Sequence, residues 1–150
     1  MARQTLGQLL NHKGKCVMKK IIKQTTELIM LEKDVMEMLL QGENSVLAML
    51  YQQYLISMVK KRELTGVGFF TTFVVPERIS SVTNESFTLG DVVAEADGLK
   101  HGVGFVLFVT NGIIDMLEGY TYDEPWPDKI INLQLSYMKD KRDLSSLPTI

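Results

Sequence analysis

The sequence predicts an α+β fold, with an N-terminal helix pair packed on a mainly antiparallel sheet of about five strands. Three observations carry this. Apolar residues recur at helical spacing between residues 26 and 61. After Gly66 the chain turns to short Phe-, Val- and Thr-rich runs broken by Gly, Pro, Asn and Asp. All helical signal precedes all strand signal, so there are no alternating βα units.

The first helix is predicted over residues 26–41. Leu28, Leu31, Val35, Met38 and Leu39 form its stripe, Thr25 or Thr26 caps it and Gly42 stops it. The second is predicted from Asn44, an N-cap type, to about Lys61. Leu47, Leu50, Tyr51, Tyr54 and Met58 form its stripe, and Lys60, Lys61 and Arg62 lie where the helix dipole favours cations. Gly66 to Val75 reads as a strand ended by Pro76, residues 77–90 as an irregular loop, and Asp91 to Ala96 as a short strand. Ile130 to Met138 closes the set, alternating apolar and polar residues along its length. The domain thus spans residues 26–138, between a basic, poorly ordered arm (1–25) and a frayed tail (139–150).

Asn111-Gly112, set between two apolar runs, is the strongest local signal: a two-residue hairpin turn. A regular ladder from that turn pairs Thr110 with Ile113 and, further out, Phe105 with Glu118. It places Val103, Phe105, Leu107, Val109, Ile114, Met116, Glu118 and Tyr120 on one face. Glu118 is then a carboxylate among apolar side chains. Burial raises a carboxylate's pKa, as suits a general acid or base, with His101 and Tyr120 as candidate helpers. The structural alternative is a strand-end carboxylate paired with Arg62 or His101. A one-residue slip would exchange the two faces.

Beyond the hairpin runs Tyr120-Thr121-Tyr122-Asp123-Glu124-Pro125-Trp126-Pro127-Asp128. Tyr and Trp dominate binding hot spots. Tyr120, Tyr122, Asp123, Glu124 and Trp126 therefore form a candidate partner-binding edge, against the plainer reading of a Pro-stiffened loop whose Trp126 caps the core. Gly66-Val67-Gly68-Phe69 recurs as Gly102-Val103-Gly104-Phe105. It lacks the spacing of a dinucleotide loop and reads as two strands that start alike, with glycines where backbones or rings approach closely.

Composition narrows the class. Residues 1–26 hold six basic residues and no acid, whereas 27–150 hold ten basic against eighteen acidic residues, a net of −8. An acidic body argues against nucleic acid as a partner, and Met18-Lys19-Lys20 reads as an alternative start. No apolar run approaches the roughly 20 residues of a membrane span, and no secretory h-region is seen. A single cysteine, Cys16, excludes an internal disulfide. These features point to a cytoplasmic protein. His12 and Cys16 stand four apart but have no further ligands, so no metal site or cofactor is expected. There is no nucleophile elbow and no phosphate loop.

The strings Arg62-Glu63-Leu64-Thr65-Gly66-Val67-Gly68-Phe69-Phe70-Thr71, Leu117-Glu118-Gly119-Tyr120-Thr121-Tyr122 and Pro125-Trp126-Pro127 carry a resemblance over residues 30–138. The chain resembles a group of small, functionally uncharacterised bacterial proteins with a helical N-terminal part and a glycine- and aromatic-rich β half. The resemblance implies a bacterial, single-domain protein and transfers no catalytic residue.

The expected function is a non-enzymatic protein-binding module of immunity or regulatory type. The alternatives are a small enzyme using Glu118 in a pocket, and a homodimer joined through the Met-rich helices or an open sheet edge.

Overall fold

A computed structural model describes residues 16–150, with side chains from Glu27 onward. Two helices, α1 (Cys16–Leu39) and α2 (Ser45–Ile56), precede six strands. These are β1 (Met58–Leu64), β2 (Gly68–Val74), β3 (Phe87–Glu95), β4 (Val103–Thr110), β5 (Ile113–Thr121) and β6 (Gln134–Tyr137). All pair antiparallel in one sheet of order β1-β2-β5-β4-β3-β6. The α+β architecture is therefore as the sequence predicts, with one strand more. The chain divides within α1 into a unit ending at Asp34 and a unit from Val35 to Ile150 that holds α2 and the sheet.

α1 begins at least ten residues earlier than its apolar stripe indicates. Residues 16–26 contain neither Gly nor Pro, so nothing in them breaks a helix. The rest of the expected arm, including His12, lies outside the described residues. Gly42, at φ 137°, ends the turn after α1 as predicted. Asn44 caps α2, its side-chain oxygen accepting the Leu47 N–H at 3.1 Å.

The second helix stops five residues short of the expected Lys61. Ser57 turns extended, and both its N–H and its hydroxyl bond to the Tyr54 carbonyl, at 3.1 and 2.7 Å. Residues 58–64 then pair with β2 instead of continuing the helix. Lys60, Lys61 and Arg62 thus lie on an edge strand rather than at a helix terminus. Every residue of β1 is exposed, so no apolar alternation marks it as a strand. β3 also starts earlier than predicted, at Phe87, and β6 starts later, at Gln134.

One face of the sheet holds the core. Phe69, Phe73, Leu89, Val92, Val103, Phe105, Leu107, Val109, Ile114 and Leu117 are buried there. Within the unit from Val35, α2 covers this face with Val46, Leu47 and Leu50, and the Tyr54 ring meets Phe73 edge-on at 5.9 Å.

The segment 139–150, expected to fray, is tied down by Arg142. Its guanidinium donates to both Asp91 oxygens at 2.7 and 3.0 Å, and to the Leu39 and Gln41 carbonyls at the end of α1. It also lies 4.5 Å over the Tyr137 ring. Asp91 is free to reach it because β3 bulges between Leu89 and Val92. Arg142→Ala is expected to lower stability by about 2 kcal/mol, the scale of charge-assisted bonds lost from a half-buried site. The urea midpoint measures this directly.

Candidate partner-binding face

The Asn111-Gly112 turn forms as predicted. Both residues have positive φ, 51° and 77°, as a type I′ turn requires. Thr110 pairs with Ile113 and Val109 with Ile114. The expected ladder breaks there, because Phe108 pairs with Met116 and leaves Asp115 as an extra residue. From that bulge outward, β5 is shifted by one residue. Glu118 faces Val106, Gly119 faces Phe105 and Tyr120 faces Gly104. Met116, Glu118 and Tyr120 therefore leave the core face, where they were expected, and Leu117, Gly119 and Thr121 take their place.

Gln53 holds the bulge. Fully buried on α2, it accepts the Ile114 N–H on Oε1 at 2.9 Å and donates from Nε2 to the Gly112 carbonyl at 2.9 Å. The amide gives the Ile114 N–H its acceptor and adds a second donor to the Gly112 carbonyl, which also accepts the Val82 N–H, so the hairpin departs from a regular ladder without stranding buried polar groups. On the other side, the Asp115 carboxylate accepts the Thr110 hydroxyl at 2.8 Å.

The face opposite the core carries rows set by the strand pairing. Phe70, Glu118 and Val106 form one row, and Thr72, Met116 and Phe108 the next. All six are half-buried. Tyr120 follows, between Gly68 and Gly104. Its ring meets that of Tyr122 edge-on at 5.3 Å, and the two are hydrogen-bonded through their side chains. Both hydroxyls sit over Gly104, where a Cβ would lie 2.6 Å from each. The glycine is thus the floor on which the tyrosine pair rests.

Burial, the hydrogen bond and charge of Tyr122, and the neighbouring Glu118 charge push the Tyr120 phenol up to about 12. A raised phenol favours the folded state fully below its ordinary pKa near 10, and that contribution is lost as pH rises through about 12. Ultraviolet titration at alkaline pH is expected to show a phenol ionising well above the ordinary value near 10. In Tyr122→Phe its midpoint moves back toward the ordinary value.

The expected Tyr–Trp–acid edge does not form one surface. Trp126 packs edge-on to Phe69, centroids 5.5 Å apart, and Phe69 belongs to the core face, its ring filling the space above Gly119. The Trp126 backbone N–H also donates to the Gly66 carbonyl at 2.7 Å. Glu124 accepts the backbone N–H groups of Lys100, at 2.9 and 3.0 Å, and His101, at 3.1 Å. Those bonds hold its carboxyl below the usual range. Asp123 is exposed in a positive-φ turn. Of the five edge residues, Tyr120 and Tyr122 share the open face, while Trp126 and Glu124 hold loops in place.

The candidate catalytic set is not brought together. His101 is exposed in the turn before β4 and, with Glu95, Asp97, Lys100, Asn132 and Gln134, lines an open polar cleft of about 790 Å³. Glu118 does not line it; of His101 and Tyr120, only Tyr120 is its neighbour. Among the described residues no group of His, Cys, Asp and Glu is arranged to hold a metal ion. No helix among them is long and apolar enough to cross a membrane.

Sequence reasoning missed Gln53 and Phe70, and set Met116 on the core face. Gln53 could have been found, because it follows Val46, Leu47 and Leu50 on the apolar stripe of its helix, where a lone amide signals a buried polar clamp. No protein-family model, curated protein or solved structure matches the chain.

Proposed function

We propose that the protein is a non-enzymatic protein-binding module whose contact surface is the open sheet face centred on Tyr120 and Tyr122. One observation carries this. The Asp115 bulge turns Met116, Glu118 and Tyr120 outward beside Phe70, Val106 and Phe108. The result is an aromatic and apolar field that carries Glu118 among its strands. Tyrosines held by packing bind at low entropic cost. Glu118 supplies polarity and suits a partner that presents a cation. The alternative of Glu118 as general acid or base loses its main premise, since the carboxylate lies on a half-exposed face and not in the cleft.

The test is site-specific photo-crosslinking from position 122 in the cells that make the protein. A single adduct of defined stoichiometry is expected. It disappears in Met116→Asp, which leaves the core face untouched, and persists in Asp128→Ala outside the face. Absence of an adduct, or one that survives Met116→Asp, overturns the reading.

A further inference from the structure

We propose that the open face grips its partner by an arginine, whose guanidinium is held between the Glu118 carboxylate and the Tyr120–Tyr122 rings. This rests on the open-face reading and names the chemistry the partner must present. The chain itself holds one arginine in this manner. Arg142 bonds both oxygens of Asp91, at 2.7 and 3.0 Å, and its guanidinium lies 4.5 Å over the Tyr137 ring. On the open face a carboxylate and a phenol again stand together, Glu118 and Tyr120, two residues apart on β5. The Glu118 charge is close enough to act on the Tyr120 phenol. Yet Glu118 forms no ion pair among the described residues. Lys61, set on the same face by its pairing with Thr72, is engaged by Glu63 at 2.7 Å.

The dimensions suit a guanidinium. Side chains two residues apart on one face of a strand stand about 7 Å from each other. A cation bonded to Glu118 at about 2.8 Å therefore falls within the roughly 6 Å reach of a ring centroid. An edge-on pair uses one ring's edge and one face of the other, and Tyr122 is 40% exposed. A planar guanidinium can stack on a ring and fork onto a carboxylate at once, whereas an ammonium is a point charge that prefers its water. Phe70 and Val106, on either side of Glu118, give the arginine stem apolar contact.

The test uses the whole protein, isotopically labelled, with capped pentapeptides Ser-Xaa-Ser-Xaa-Ser in which Xaa is arginine, lysine or uncharged citrulline. The arginine peptide is expected to shift the ring resonances of Tyr120 and Tyr122, to bind at least about threefold tighter than the lysine peptide, and to outbind the citrulline peptide further. Glu118→Gln keeps the shape and is expected to weaken arginine binding at least about tenfold. Tyr122→Leu is expected to erase the preference for arginine over lysine. If Glu118→Gln fails to fold, Glu118→Asp serves, since it withdraws the carboxylate by one methylene and is expected to weaken binding too. Equal binding of the arginine and lysine peptides, binding indifferent to Glu118, or shifts at His101 in place of the tyrosines overturns the proposal. So does a dimer in light scattering that Met116→Asp dissolves, because a second copy is then the occupant. If no arginine peptide binds while the adduct from position 122 forms and is lost in Met116→Asp, the arginine falls and the open-face reading stands. If both fail, both fall.

Discussion

Gln53→Ala is expected to cost about 3 kcal/mol of stability, among the largest losses any single surface-neutral change in this chain can produce. The substitution strands the Ile114 N–H, bonded to the Gln53 amide at 2.9 Å, and takes one of two donors from the Gly112 carbonyl, which keeps the Val82 N–H. A buried polar group left without a partner costs roughly 1–3 kcal/mol, and the lost side chain leaves a void as well. Gln53→Glu distinguishes the two contributions. It keeps the volume and the acceptor for Ile114 but replaces the donor to Gly112 with a second acceptor. Denaturant unfolding should rank the wild type above Gln53→Glu at neutral pH, and an alanine variant as stable as the wild type would show that the bulge does not depend on α2.

Gly68→Ala is expected to be at least as damaging, with a loss of about 3 kcal/mol or more. A Cβ there would overlap the Gly119 carbonyl oxygen on the neighbouring strand. Main chain cannot rotate away as a side chain can, so β2 and β5 must separate. Gly104→Ala provides the contrast. Its Cβ would meet the ends of Tyr120 and Tyr122, which can swing outward at smaller cost. Thermal unfolding should therefore show a large fall for Gly68→Ala and a smaller one for Gly104→Ala, with the shifted phenol of Tyr120 lost in the latter.

The two copies of Gly-Val-Gly-Phe illustrate what was legible. The first glycine of each copy takes positive φ, 86° at Gly66 and 72° at Gly102. The second sits under a neighbour, backbone at Gly68 and tyrosine at Gly104. A repeat read as strands that start alike with close approaches is what forms. The turn at Asn111-Gly112 was legible for a similar reason, because its chemistry is local.

The register beyond the turn was not legible. The bulge at Asp115 is stabilised by Gln53, 61 positions before the adjoining Ile114 in the chain, and nothing within the hairpin announces it. That one displaced residue decides whether Glu118 is a core carboxylate or a surface one, so the candidate site depended on the least local fact in the fold. β1 was misread for the opposite reason. Met-Val-Lys-Lys-Arg-Glu-Leu has good helix formers and no alternation, and only pairing with β2 makes it a strand. For Trp126 the sequence left two readings open, a binding edge and a cap on the core, because proline spacing fixes backbone direction and says nothing of which face the indole reaches.

The strand order also has a consequence in time. β4 and β5 close across two residues, and β1 and β2 across a loop almost as short, so each hairpin can form within microseconds. The seam between β2 and β5 joins residues 44 to 52 positions apart in the chain. Such a seam must meet its loop-closure entropy before any contact rewards it. The barrier to folding is expected to lie in the docking of one finished hairpin on the other, with Gly68 at the meeting line. Until that docking occurs, the chain carries two preformed ribbons with four open edges, and it is in that interval rather than in the native state that aggregation would begin.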